Sequence, residues 1–168
     1  KAQYEVFEKW FQLFEGPARI ILPDTFGSKQ FLQNIPAKLA QEAMGFRQDS
    51  GDSLEFGRWV LAMWKRFRID PKGRTLFFSD GLKAEKMLEI NRAFCDLTRV
   101  LFGWGTNFSN DTGFVKALSI VMKLIMADGE PAVKLSDNLA KAIGKPEAVV
   151  RNKKLFGYEN TFNEGCEY

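Results

Sequence analysis

The chain has 168 residues, of which 45% are hydrophobic and 27% charged, and its formal net charge is +3. This length fits one ordinary domain, and so mild a charge suits a small anionic ligand but gives no basic stripe for nucleic acid. The chain has no histidine, which excludes Ser–His–Asp hydrolysis, Cys–His catalysis and histidine-ligated zinc within it.

Short apolar runs alternate with helical patterns along the chain. Four runs are rich in β-branched or aromatic residues, end in Asp or Gly and are predicted strands: 18–24, 43–49, 74–80 and 99–105. A fifth, longer run over 119–129 alternates apolar and polar residues, which predicts a strand with one face in water.

Helices are predicted over 2–14, 53–67 and 82–95. Ser53 is the predicted N-cap of the second helix, and DPKG at 70–73 predicts a turn. The apolar face predicted for the second helix comprises Leu54, Trp59 or Val60, Met63 and Phe67.

A strand–helix unit that recurs every 25 to 30 residues, roughly, predicts an α/β fold with a parallel sheet. The near-continuous apolar strands agree, because parallel strands are covered on both faces. The sequence from about residue 144 onward predicts a short basic helix followed by a loosely ordered polar end. We therefore expect two parts, 1–143 and 144–168.

Ligands of parallel α/β folds bind at the carboxyl ends of the strands, and here each of the first four strands ends in polar residues. The Gly-rich stretch GWGTN after the fourth strand could be only a turn. It also offers close backbone approach at Gly103 and Gly105, with Thr106 and Asn107 as further donors, a combination typical of phosphate binding.

Acidic residues mark the ends of the first three strands. Asp24, Asp49 and Asp80 are hard oxygen donors that suit Mg²⁺ or ribose hydroxyls, and Arg47 could clamp a carboxylate or a phosphate. Each has a plain structural alternative: a helix cap at Asp24, a tight turn at SDGL, an ion pair between Arg47 and Asp49. Together with the phosphate loop they describe a phosphoribosyl donor and an acidic acceptor.

Several motifs resemble, in order and spacing, those of the nicotinate phosphoribosyltransferase family: FRQDSGD, FSDGL, FGWGTN and MADGEPAVKLSD. LPDTFGSKQFL resembles the strand that precedes them, and the resemblance extends from about residue 4 to 156. It implies the second half of a TIM-like (β/α) barrel with parallel strands, of the type II phosphoribosyltransferases. It also implies the reaction, in which nicotinate and phosphoribosyl pyrophosphate give nicotinate mononucleotide and pyrophosphate, with Mg²⁺ and coupled ATP hydrolysis, in NAD biosynthesis.

The resemblance also implies residue roles. Arg47 would lie against nicotinate, and Asp49 and Asp24 would face the pyrophosphate and its Mg²⁺. The substrate-binding residues, which hold ribose hydroxyls or the 5′-phosphate, would be Ser79, Asp80, Gly81, Gly103, Gly105, Thr106 and Asn107.

Members of this family are more than twice as long as this chain and carry a histidine, phosphorylated during ATP coupling, that would lie upstream of residue 1. They also have an N-terminal domain, the first half of the barrel and a stacking aromatic that a dimer partner contributes. The resemblance therefore implies that this chain is the carboxyl-terminal half. We expect it to need its missing half or a homodimer partner and to be inactive alone.

Two alternatives stay open at this point: a related nicotinamide or quinolinate phosphoribosyltransferase, and a non-catalytic phosphate-binding module. Quinolinate would require a second basic clamp, and RQDSGD supplies one arginine. Cys95 and Cys166 lack metal-type spacing, no apolar run reaches the ~18 residues of a membrane span, and no signal peptide is evident. We expect a cytoplasmic protein that binds neither membrane nor nucleic acid.

Overall fold

The computed structural model describes residues 2–105, 108, 113–114 and 122–158. Four strands form a parallel sheet in the order β1-β2-β3-β4, so each strand pairs with its neighbour in the chain. The strands are β1 (Ile20–Ile21), β2 (Gly45–Gln48), β3 (Thr75–Phe78) and β4 (Arg99–Phe102). Each lies inside a predicted run, which confirms the α/β fold with a parallel sheet.

The helices precede, connect and follow these strands. They are α1 (Ala2–Leu13), α2 (Ser28–Asn34), α3 (Ala37–Glu42), α4 (Ser53–Arg66), α5 (Ala84–Phe94) and α6 (Pro146–Leu155). α1, α4, α5 and α6 confirm predicted helices, whereas α2 and α3 were not singled out. Within the described ranges, none of the helices has both the length and the apolar character needed to span a membrane.

The start of α4 differs from its prediction by one residue. Asp52, rather than Ser53, is the N-cap, and its Oδ1 accepts a hydrogen bond from the Glu55 backbone N at 2.7 Å. Ser53 is the first helical residue and is buried. The predicted N-cap was wrong because Asp52 already satisfies a free amide of the first turn.

One face of the sheet packs against α4 and α5 and forms the core. Phe78 of β3 is fully buried, with ring centroids of Phe56, Phe94 and Phe102 at 6.3, 5.9 and 6.2 Å. Gly57 lets α4 approach α5 closely, since a Cβ there would lie 2.3 Å from the Phe94 ring. Of the apolar face predicted for α4, Val60 and Met63 are buried, whereas Leu54, Trp59 and Phe67 are only partly buried.

The other face of the sheet is less covered. Successive strand residues alternate between faces, so Arg47, Phe77 and Leu101 lie on the side away from α4 and α5. Arg47 lies over the Phe77 ring at 5.5 Å, and Leu101 is 44% exposed. Within the described residues, the outer edges of β1 and β4 pair with no further strand.

The fifth strand, predicted over 119–129, is corrected by the structure. Its described part, 122–129, lies outside the parallel sheet, and 119–121 lie outside the described residues. Met126–Ala127 (β5) pairs antiparallel with Glu130–Pro131 (β6) across Asp128 and Gly129, which have φ of 51° and 80°. An Asp-Gly pair with positive φ at both positions favours a tight hairpin, and this overrides the strand pattern.

Candidate functional site

The ends of β2 and β3 are joined by a polar cluster. Arg47 Nη2 donates to Asp49 Oδ1 at 2.9 Å, and Arg47 Nε donates to Ser79 Oγ at 2.9 Å. The Ser79 hydroxyl lies 2.8 Å from the Gln48 carbonyl O and 3.1 Å from Asp49 Oδ1, either of which can accept its proton. The Arg47 and Asp49 side chains are 41% and 40% exposed, so this cluster is open to a ligand.

Lys141 adds a cation that the sequence analysis did not single out. Its Nζ donates to Asp80 Oδ1 at 2.7 Å and to the Asp49 backbone O at 2.8 Å. The lysine and aspartate side chains are 15% and 21% exposed, so this pair is more buried than that of Arg47. Several carboxylates at one sheet edge are stabilised in their charged forms by a nearby cation. The predicted acidic residues were therefore a signal that a lysine or arginine lies beside them.

Asp24 lies in a buried hydrogen-bonded chain. Ser50 Oγ donates to Asp24 Oδ2 at 2.7 Å and accepts from the Asp137 backbone N at 3.1 Å. Asp137 Oδ1 accepts from the Ser28 backbone N at 2.7 Å. Asp24 is 7% exposed, Asp137 4% and Ser50 2%. Ser50 and Asp137, which had no predicted role, thus connect the ends of β1 and β2 to a distant loop.

The electrostatics of this chain follow from its burial. Burial raises the pKa of the Asp24 carboxyl, and the hydrogen bond from Ser50 and the positive charge of Lys134 oppose that rise. Burial also lowers the pKa of Lys134, and the charge of Asp24 opposes that fall. The two partly desolvated groups therefore favour each other's charged forms.

The end of the described chain packs against the same loops. Phe156 stacks on Phe26 with ring centroids 3.8 Å apart, and the Tyr158 hydroxyl donates to the Ser136 carbonyl O. The predicted division at residue 143 stays a prediction, and these contacts cross it.

The Tyr158 hydroxyl provides a pH-dependent prediction. Burial and the charges of Asp137 and Asp24 raise its pKa to about 12, above its usual value of 10.0. Because the folded pKa is raised, the stabilisation by Tyr158 is fully present below pH 10 and is lost as pH rises through 12.

We expect Tyr158→Phe to lower the free energy of unfolding by about 1 kcal/mol at pH 7, for the lost hydrogen bond. This deficit relative to the unsubstituted chain should shrink in urea denaturation above pH 10. A deficit that stays constant across the alkaline range would contradict the assignment.

The glycines of the predicted phosphate loop are only partly within the described residues. A Cβ at Gly103 would lie 3.1 Å from Phe77 and from Ser79 Cβ, so a larger residue there would require these neighbours to shift slightly. Gly81 follows Asp80 in a turn with φ of 55°. Gly105 accepts a hydrogen bond from Phe108 N at 2.9 Å. The structure does not describe Thr106 and Asn107.

The acidic residues at the strand ends differ in how well they suit a magnesium ion. The described residues contain no group of three or more Asp, Glu, Cys or His placed to hold a metal, so Asp24, Asp49 and Asp80 do not converge on one ion. Mg²⁺ often uses one or two carboxylates together with substrate phosphates. Asp49 fits that role, since its Oδ2 has no hydrogen-bond partner among the described residues and its side chain is 40% exposed. Asp24 is much less accessible, at 7% exposure, and its predicted role at the metal stays a prediction.

The model of the nicotinate phosphoribosyltransferase (NAPRTase) family matches residues 1–160. A crystal structure of nicotinate phosphoribosyltransferase from Porphyromonas gingivalis is similar at 33% identity and a TM-score of 0.83, over 93% of this chain and 42% of that one. One from Vibrio cholerae is similar at 32% identity and a TM-score of 0.85, over 94% of this chain and 40% of that one. This chain thus spans about two fifths of the length of these solved relatives. It belongs to the nicotinate phosphoribosyltransferase family.

Proposed function

We propose that this chain is the carboxyl-terminal part of a nicotinate phosphoribosyltransferase and supplies half of a TIM-like (β/α) barrel. Three observations support the barrel. The strands add to the sheet in chain order, one face of the sheet is partly uncovered, and the chain matches only about 40% of its solved relatives. The missing barrel half, or a homodimer partner, would cover the Phe77 face.

The proposed reaction joins nicotinate to the ribose of phosphoribosyl pyrophosphate and releases pyrophosphate. Its product, nicotinate mononucleotide, enters NAD biosynthesis. The observation that carries the proposal is the cluster of Arg47, Asp49, Ser79, Asp80 and Lys141 at the carboxyl edge of a parallel sheet. Cationic, acidic and hydroxyl groups lie there within hydrogen-bonding distance of one another, as a polyanionic sugar phosphate requires.

Arg47 is the proposed contact for the acceptor. Its Nε and Nη2 are engaged by Ser79 and Asp49, whereas Nη1 has no partner among the described residues. A guanidinium held in this way can bind one carboxylate and stay against the Phe77 ring. The ring nitrogen of nicotinate would then be oriented toward the sugar, so that positioning contributes to the rate.

The donor would lie along the same edge. Asp80, with Ser79 and Gly81, would accept the ribose hydroxyls, and the loop from Gly103 through Asn107 would bind the 5′-phosphate. Asp49 would hold Mg²⁺, which when bound supplies positive charge for the departing pyrophosphate. Asp24, at 7% exposure, is also proposed to face the pyrophosphate and its Mg²⁺.

Coupled ATP hydrolysis, which family resemblance implies, depends on a histidine, and this chain has none. We therefore assign no ATP-dependent step to its residues.

The test is nicotinate mononucleotide formation by the 168-residue chain from nicotinate, phosphoribosyl pyrophosphate and Mg²⁺, with and without ATP. We expect no product above background, since half of the proposed barrel is absent, together with donor binding in titration calorimetry. Failure to bind the donor would contradict the proposed site. Product formation would show that this half is sufficient.

The DNA upstream of residue 1 distinguishes an enzyme from a binding module. An in-frame segment that encodes a histidine-bearing half-barrel supports the enzyme. A start codon with a ribosome-binding site immediately before residue 1 supports a non-catalytic phosphate-binding module.

A further inference from the structure

Asp80 lies in the bend at the carboxyl end of β3. It follows β3 and precedes Gly81, whose φ is 55°. Asp80 Oδ1 accepts from Lys141, whereas Oδ2 has no hydrogen-bond partner among the described residues. A carboxylate held through one oxygen presents the other as an acceptor for a hydroxyl donor.

The loop that carries Lys141 is itself well fixed. Two backbone hydrogen bonds between Lys134 and Ile143, at 2.9 and 3.0 Å, close its ends. Asn138 caps the short helix that ends at Lys141 by accepting from the Ala140 backbone N at 3.0 Å. Asp137 anchors the loop to the ends of β1 and β2, as described above. Lys141 therefore approaches Asp80 from a defined position.

The Lys141–Asp80 ion pair is better suited to positioning Asp80 than to stabilising the fold. Its side chains are largely buried, and the desolvation of two charges offsets much of their attraction. The same Lys141 ammonium also binds the Asp49 backbone O, so it fixes the end of β2 relative to Asp80. Such preorganisation lowers the entropy cost of binding a ligand at both positions.

We propose that Lys141 is a positioning residue for the donor sugar: it holds Asp80 through Oδ1 so that Oδ2 accepts hydrogen bonds from the vicinal hydroxyls of ribose. This inference rests on the proposed function. It extends that function, because the preference for ribose over deoxyribose would depend on Lys141 through its contact with Asp80.

The experiment compares ribose 5-phosphate with 2-deoxyribose 5-phosphate by titration calorimetry of the whole chain. The unsubstituted chain should prefer ribose 5-phosphate by about ten- to a hundredfold, the range for a hydrogen bond to a charged group. Lys141→Met should lose most of this preference and keep its affinity for inorganic phosphate. The control Lys86→Met, which removes an exposed ion pair with Glu89, should keep the preference.

Each outcome decides a separate point. If the unsubstituted chain binds neither sugar phosphate, the proposed function fails and this inference fails with it. If that chain discriminates and Lys141→Met discriminates equally, only the inference is overturned. Equal weakening of both sugar phosphates in Lys141→Met would indicate a merely structural lysine and would also overturn it.

A second measurement covers a variant that does not fold. If Lys141→Met shows no cooperative unfolding, ¹⁵N NMR of the Lys141 ammonium in the unsubstituted chain replaces it. Ribose 5-phosphate should shift that resonance more than 2-deoxyribose 5-phosphate does, because only the former can engage Asp80 with both hydroxyls. Equal shifts would overturn the inference.

Discussion

Asp49→Asn should lower the affinity of the chain for phosphoribosyl pyrophosphate with Mg²⁺ by about ten- to a hundredfold, since an interaction with a charged group contributes about 1.5–3 kcal/mol. Asparagine keeps the shape and one acceptor oxygen but removes the negative charge. The Arg47–Asp49 pair is about two fifths exposed, so the free energy of unfolding should change by less than about 1 kcal/mol. Calorimetric titration with and without Mg²⁺ measures the effect.

Asp52, three residues after Asp49, provides a matched control. Asp52→Asn removes the same charge, and asparagine remains a good N-cap for α4. We expect unchanged donor affinity in this variant. Affinity that stays the same in Asp49→Asn would remove Asp49 from the site, and an equal decrease in both variants would indicate a general effect of net charge.

Phe78→Ala should lower the free energy of unfolding by about 3–5 kcal/mol, the usual cost of removing a fully buried phenylalanine. The Phe78 ring lies among three other rings, from α4, α5 and β4, so its loss leaves a cavity between the sheet and both helices. Urea denaturation followed by far-UV circular dichroism measures the change.

Phe77→Ala is the neighbouring comparison on the opposite face of β3. Phe77 is only partly buried and contacts Arg47, so its replacement should cost about 1 kcal/mol. Equal losses for the two variants would contradict the assignment of one packed and one less covered face.

The parallel sheet was predictable because its signal is local. Each strand is a short apolar run that ends in Asp or Gly, and each lies within one stretch of sequence. The same reasoning failed at 119–129, where apolar alternation predicts one long strand with a wet face, whereas the turn-forming Asp128-Gly129 leaves only the short β5 in a hairpin. The N-cap of α4 was also predicted one residue too late, because Asp52 and Ser53 are adjacent and both are good capping residues.

The candidate site was less predictable because it depends on distant contacts. Arg47, Asp49, Ser79 and Asp80 were expected at one edge, and the structure brings them together. Lys141 lies 61 residues from Asp80, and no periodicity in the sequence links them. Only the three-dimensional approach of the later loop reveals that contact.

The sequential strand order has a consequence for folding. Paired strand residues are about 25 positions apart, as in Ile20 with Gly45 and Thr75 with Arg99, so closing each pairing costs less chain entropy than a contact across most of the chain. The contacts of Asp137 with Ser28 and Ser50 span 109 and 87 residues. During synthesis the four strands can pair soon after they leave the ribosome, whereas the candidate site is completed only after the Asp137 loop has emerged.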